Sequence, residues 1–292
     1  MTALLEVPVD GGPYAVTAGP DGAMWVTLVH AGAVARVTGG GSLTTFAVSP
    51  DSRPSQITAG RDGALWFTRC GDDRIGRISV DGEQSAVELS SGSAPFGLAV
   101  GPDEALWYTA TGSEVIGRLD SDGTVQEWPV AGMPSMITAG PDGAMWFTLN
   151  RAGAIGRLDM AGRLTTREVP TRGSGPVGIC ATHDDCVWFT AVTGERLGRI
   201  PVDDAIQELD MPGKPHAVVA DPAGGVWVSL WGADRIAHVS ADGETMTIDL
   251  PAGSEPHGMA VAADGALWVA LEAGYVLRLP GTGSGGRSAR RR

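Results

Sequence analysis

Positive charge is scarce in this chain. Lysine and arginine number 21 against 34 aspartates and glutamates, lysine occurs once (Lys214), and the net charge is −13. Four arginines (Arg287, Arg290, Arg291 and Arg292) sit in the terminal GTGSGGRSARRR, so the rest of the chain carries −17. Long-range repulsion from such a body argues against nucleic acid and anionic membrane as partners. The Gly/Ser-rich tail, residues 281–292, is expected to be disordered. No apolar run is long enough to span a bilayer, and the opening MTALLEVPVDGG lacks the basic start and apolar stretch of a secretory signal. Three cysteines, Cys70, Cys180 and Cys186, make an odd count without framework spacing. The expectation is a reduced, cytoplasmic protein. A Ser-His-Asp arrangement, a phosphate loop, a dinucleotide fingerprint and the spacing of a calcium loop are all missing.

What the chain has instead is a repeat. Trp25, Trp66, Trp107, Trp146, Trp188, Trp227 and Trp268 recur at intervals of 41, 41, 39, 42, 39 and 41 residues, each closing a variant of PSMITAGPDGAMWFT. A repeat of this length is one supersecondary unit that buries its faces by stacking on its neighbours. In the fourth unit Ile137-Thr138-Ala139 is a short apolar run, Gly140-Pro141-Asp142-Gly143 supplies turn chemistry, and Ala144-Met145-Trp146-Phe147-Thr148 is rich in strand formers. A third strand carries IGRI-like text (Ile75–Ile78, Ile155–Leu158, Leu197–Ile200), and a fourth alternates, as at Val125–Val130. Four antiparallel strands per unit predict an all-β protein, a seven-bladed β-propeller over residues 1–280. The fourth-strand text is missing after the seventh unit and appears at the N-terminus as Leu4–Val9. The N-terminal strand is therefore expected to complete the last blade, which removes an exposed edge. A ring closed in this way needs no partner, so a monomer is expected.

Because the shared letters are explained by folding, function is sought where copies differ. The innermost hairpin of each blade brings three columns to one mouth of the channel: the residue before the Pro, the residue after it, and the fourth past the Trp. In blades one to five these are mostly small, apolar or neutral, with Tyr14 and Phe96 the aromatic members. Blades six and seven hold Lys214, His216, Trp231, Glu255, His257 and Glu272. A turn at Asp264-Gly265 sets His257 opposite Glu272, with side-chain roots roughly 5 Å apart. Two carboxylates, Glu255 and Glu272, can hold a hard divalent cation such as Mg²⁺, with water and substrate oxygens completing the shell. His257 beside it is a candidate general base. The alternative is that both glutamates are solvated rim charges and His257 hydrogen-bonds one of them. His216 can equally be a satisfied channel residue, and Tyr14 either a proton donor or a plug. His183-Asp184-Asp185-Cys186 has the residue types of a metal cluster but occupies the register of the PDGA turn. His30 and His238 lie outside the three columns.

Together with GPYAVT (Gly12–Thr17), GKPHAVV (Gly213–Val219), WGADRI (Trp231–Ile236) and EPHGMAV (Glu255–Val261), the repeat resembles the virginiamycin B (streptogramin B) lyases over residues 4–279. The resemblance implies a seven-bladed propeller, Mg²⁺ on Glu255 and Glu272, His257 as proton acceptor, His216 on substrate and Tyr14 in the active site. Lys214 stands where a relative carries Arg. It also implies a reaction: non-hydrolytic opening of a cyclic depsipeptide antibiotic at its ester, with Trp231 and Phe96 stacking on aromatic substituents. Two other readings are a metal-dependent lactonase or esterase, and a non-catalytic propeller that binds peptide across the same mouth.

Overall fold

Seven four-stranded antiparallel sheets stand around one axis in the computed structural model, which describes residues 4–201 and 204–281. Each inner strand packs against the inner strands of the blades before and after it, and that of blade one also meets that of blade seven. Blade four shows the pattern: Pro134–Ala139 innermost, then Met145–Leu149, Ala154–Leu158 and Leu164–Glu168. Closure follows the sequence expectation. Leu5–Pro8 pairs antiparallel with Tyr275–Leu279, Leu5 opposite Arg278 and Pro8 opposite Tyr275, as the outer strand of blade seven. The expected disordered tail falls outside the described residues, apart from Gly281. Among the described residues no helix is long and apolar enough to cross a membrane.

The repeated letters have separate physical duties. In blades one to four the turn aspartate accepts the indole N–H of its Trp on Oδ1 at 2.9–3.1 Å. Its Oδ2 accepts the Nε–H of the IGRI-type arginine at 2.5–2.6 Å. The turn, second strand and third strand are thereby tied at the end of the blade remote from the candidate site. Blade five keeps this in part through Arg199 and Asp184 at 2.9 Å; His183, Asp184 and Asp185 form the turn and Cys186 opens the second strand. Blade six substitutes His238 and Asp221, 3.1 Å apart.

The glycine of IGRI is a packing partner. Phe67, Tyr108, Phe147 and Phe189 on second strands face Gly76, Gly117, Gly156 and Gly198 on third strands. A Cβ on any of these glycines would lie 2.0–2.4 Å from the opposing ring. Where the ring shrinks to Val26 or Val228, the partner grows to Ala35 or Ala237. In these six blades a smaller second-strand side chain is met by a larger third-strand one; blade seven pairs Val269 with Leu277.

A threonine two residues after the Trp joins successive blades. Thr27, Thr68, Thr109, Thr148 and Thr190 each accept a backbone N–H of their own inner strand at 2.7–3.0 Å. Each hydroxyl then donates to an inner-strand carbonyl of the next blade at 2.5–2.7 Å. The accepted N–H belongs to a residue in a bulge, where the ladder between inner and second strands shifts register in all seven blades. The hydroxyl satisfies a donor that the bulge has removed from the ladder. Blade seven has Ala270 at this position.

Candidate active site

The bulge corrects the expected register at the mouth. Pro256 pairs with Leu271, and the backbone N–H of Glu272 donates to the carbonyl of Glu255 at 3.1 Å. Glu272 therefore faces Glu255 across the ladder, and not His257. His257 sits in the bulge, and its side chain nevertheless reaches Glu272, with Nε2 2.5 Å from Oε2. An ideal ladder would make this contact by direct pairing; here it is made from within the bulge, whose extra residue re-aims the side chains around it.

All seven residues preceding the inner-strand prolines adopt positive φ, from 44° at Arg53 to 71° at Gly12, with Glu255 at 50°. Left-handed backbone is unfavourable for a residue bearing Cβ and persists where surrounding bonds impose it. For Glu255 those bonds come from Asp234 of blade six, whose Oδ1 accepts the Glu255 N–H at 3.0 Å and Oδ2 the Gly253 N–H at 2.8 Å. The two N–H donors, Glu255 first, hold the Asp234 carboxyl below its ordinary 3.8.

The side chains expected at the mouth meet. The His257 ring lies 4.6 Å from that of Tyr14 and 4.6 Å from that of His216, the latter edge-on at 87°. Tyr14 also approaches Phe96 at 6.2 Å and His216 at 6.0 Å. Trp231, which opens a short 3₁₀ turn, stands 6.2 Å from His257 and carries the Lys214 ammonium 5.2 Å from its ring centre. Behind this layer the axial channel holds a cavity of about 660 Å³, with Tyr14 and His216 on its wall. Ser55 and Cys70, from the same columns in blade two, bond each other at 3.3 Å.

Burial sets the protonation states. His216 is pushed down to about 3 by desolvation, reinforced by its neighbour His257, so it is a neutral imidazole at ordinary pH. His257, only 6% exposed, is lowered by desolvation in spite of the opposing charges and hydrogen bond of Glu272 and the charge of Glu255. The Tyr14 hydroxyl is driven well above its ordinary range by burial, then by the charges of Glu272 and Cys70. His257 Nδ1, His216 Nδ1 and Trp231 Nε1 are all buried without a hydrogen-bond partner.

His30 lies outside the three columns, one residue past the third, yet its Nε2 is 2.7 Å from Glu272 Oε1. The available signal was Gly12: a Cβ there would come within 2.3 Å of His30 Cδ2.

The sequence model of the Virginiamycin B lyase family matches residues 3–279. The chain belongs to the virginiamycin B lyase family. It is 66% identical over 281 residues to the virginiamycin B lyase of Mycolicibacterium smegmatis, an alignment covering 96% of this chain and 100% of the relative. A solved streptogramin B lyase structure superposes with a TM-score of 0.90 at 32% identity, covering 94% of this chain and 96% of that one. A catalytically inactive virginiamycin B lyase from Staphylococcus aureus with quinupristin gives a TM-score of 0.90 at 31% identity, covering 94% and 98%.

For a virginiamycin B lyase family member, Glu255 and Glu272 are a donor set that suits a hard divalent cation: two carboxylates on facing backbone positions at an open mouth. Among the described residues no group of three or more His, Cys, Asp or Glu side chains is arranged to hold a metal ion by itself. The two carboxylates would thus hold such an ion together with oxygens from outside the protein.

Proposed function

We propose that this protein is a Mg²⁺-dependent carbon–oxygen lyase that linearises streptogramin B antibiotics by elimination, conferring resistance on the cell that makes it. The observation that carries the reading is the meeting of His257 with Glu272 beside Glu255, on the one hairpin where the repeat is broken by acids and an imidazole. Family membership adds the substrate class: the S. aureus neighbour was solved with quinupristin.

The depsipeptide ring is closed by an ester between a threonine oxygen and a carboxyl group. Glu272 accepts the Nε2–H of His257 and so selects the tautomer with its lone pair on Nδ1. That nitrogen takes the threonine α-proton. The released electron pair forms the Cα=Cβ bond, the Cβ–O bond breaks, and the ester oxygen leaves as a carboxylate. The carboxylate of Glu272 then stabilises the imidazolium. His216, kept neutral by its burial, hydrogen-bonds substrate without competing for the proton. Lys214 offers charge to the leaving carboxylate, and Trp231 and Phe96 offer faces to aromatic substituents. Tyr14 remains protonated and orients the ring of His257. Bound at Glu255 and Glu272, Mg²⁺ supplies electrostatic stabilisation of the negative charge that develops on a carbonyl oxygen. We read the protein as a cytoplasmic monomer.

Incubation with a streptogramin B in Mg²⁺, and then in chelator, tests this by product mass. The expected product is a linear isomer of the macrocycle, formed with Mg²⁺ and not in chelator. A product heavier by one water means hydrolysis and removes the elimination scheme. Full activity in the His257→Ala protein would remove the assigned base.

A further inference from the structure

Both oxygens of Glu272 are engaged. Oε2 meets His257 Nε2 at 2.5 Å, and Oε1 meets His30 Nε2 at 2.7 Å. His257 and Glu272 belong to blade seven, whereas His30 follows the second strand of blade one. The second bond thus crosses the seam where the ring closes. This seam differs from those after blades one to five, where a threonine hydroxyl bridges inner strands. Its counterpart here is Ala270, which has no hydroxyl. Gly12, under the His30 ring, leaves the space that a Cβ would fill.

We infer that His30 is a positioning residue of the candidate site. The terminal torsion of a glutamate is broad, so a carboxylate held at one oxygen samples many orientations. A donor on each oxygen leaves one orientation, with Oε2 turned to His257. His30 is 63% exposed and Glu272 24%, so the contact sits at the rim of the mouth. The inference rests on the elimination reading for its kinetic consequence, but not for its geometry.

The test compares the full-length native protein with His30→Ala and His30→Gln at one fixed pH, since a glutamine amide can also donate to Oε1. The His257 imidazole nitrogens are read by proton–nitrogen NMR, Mg²⁺ affinity by calorimetry, and kcat and KM on a streptogramin B. His30→Ala is expected to move the His257 Nε2 resonance toward that of an unbonded imidazole. It should also weaken Mg²⁺ binding and lower kcat/KM by about 10–100-fold, the usual effect of removing a group that orients a ligand. His30→Gln should recover most of each, and both variants should melt within a few degrees of native. Native NMR signals and Mg²⁺ affinity in His30→Ala overturn the proposal. So does equal impairment of the two variants, or a large fall in melting temperature, which would make His30 a seam brace alone. A native protein that consumes no streptogramin B overturns the elimination reading instead, and the NMR comparison still decides the role of His30.

Discussion

At the residue scale the structure turns on exchanges of size and charge between facing side chains. Gly156 fits because Phe147 is large, so Gly156→Ala should destabilise by about 1–3 kcal/mol through overpacking. Phe147→Val should relieve this in the double variant, because blades one and six already use a Val/Ala pair there. A double-mutant cycle in denaturant is expected to show coupling, and strictly additive losses would contradict the packing account. The neutral state of His216 has a kinetic consequence. With its ionisation pushed down to about 3, it cannot be the group whose titration sets activity between pH 5 and 7. His216→Gln should raise KM while leaving the acid limb of the pH–rate profile where it was. Disappearance of that limb would transfer the base role to His216.

The informative element is the loop before the inner strand, where in blades three, four, six and seven a carboxylate from the preceding blade accepts a backbone N–H. Asp73 serves Ala94 in this way, and Asp234 serves Glu255. Asp234→Ala removes the acceptor that keeps Glu255 at positive φ, and is expected to weaken Mg²⁺ binding about tenfold with the core intact. Calorimetric titration measures this, and an unchanged affinity would mean that the Glu255 loop holds its shape without Asp234. Here the limit of sequence reading is also visible. The hairpin, its turn and the three mouth columns were legible because turn chemistry and alternation are local. The pairing of Glu272 with Glu255, and the contact with His30, were not. A bulge leaves no mark in a pattern of alternating residues, and His30 meets Glu272 across 242 positions of chain.

At the scale of the whole molecule the ring depends on its two ends meeting. Val7 and Val9 are buried in the cluster between blades one and seven. Deleting residues 1–9 exposes this cluster and the edge of Tyr275–Leu279. The expected result is a lower melting temperature and larger species on size exclusion; a monomer of native stability would mean that the last blade stands with three strands. The repeated turn aspartates predict a steep acid transition. In Asp103 and Asp142 burial works to raise the carboxyl, but the Trp and Arg donors outweigh it, and both lie below the ordinary 3.8. Asp21 and Asp62 behave alike. A carboxyl depressed by folding stabilises fully above its unfolded value, and that contribution is lost as pH falls through the folded value. Unfolding followed by circular dichroism should therefore begin near pH 4 and steepen below it, with a shallower slope in Asp142→Asn.

The residues alone determined the number of blades, the strand that closes the ring, the mouth that departs from the repeat and the family. Each of these follows from periodicity, from turn chemistry or from a short contiguous motif, all of which are written along one dimension. Tertiary structure decided what the mouth residues do to one another. It bent the strand at His257, set Glu272 against Glu255, brought His30 from the far side of the seam and pressed His216 into a neutral state. Those outcomes depend on through-space distance and on the removal of water, which the order of residues does not specify.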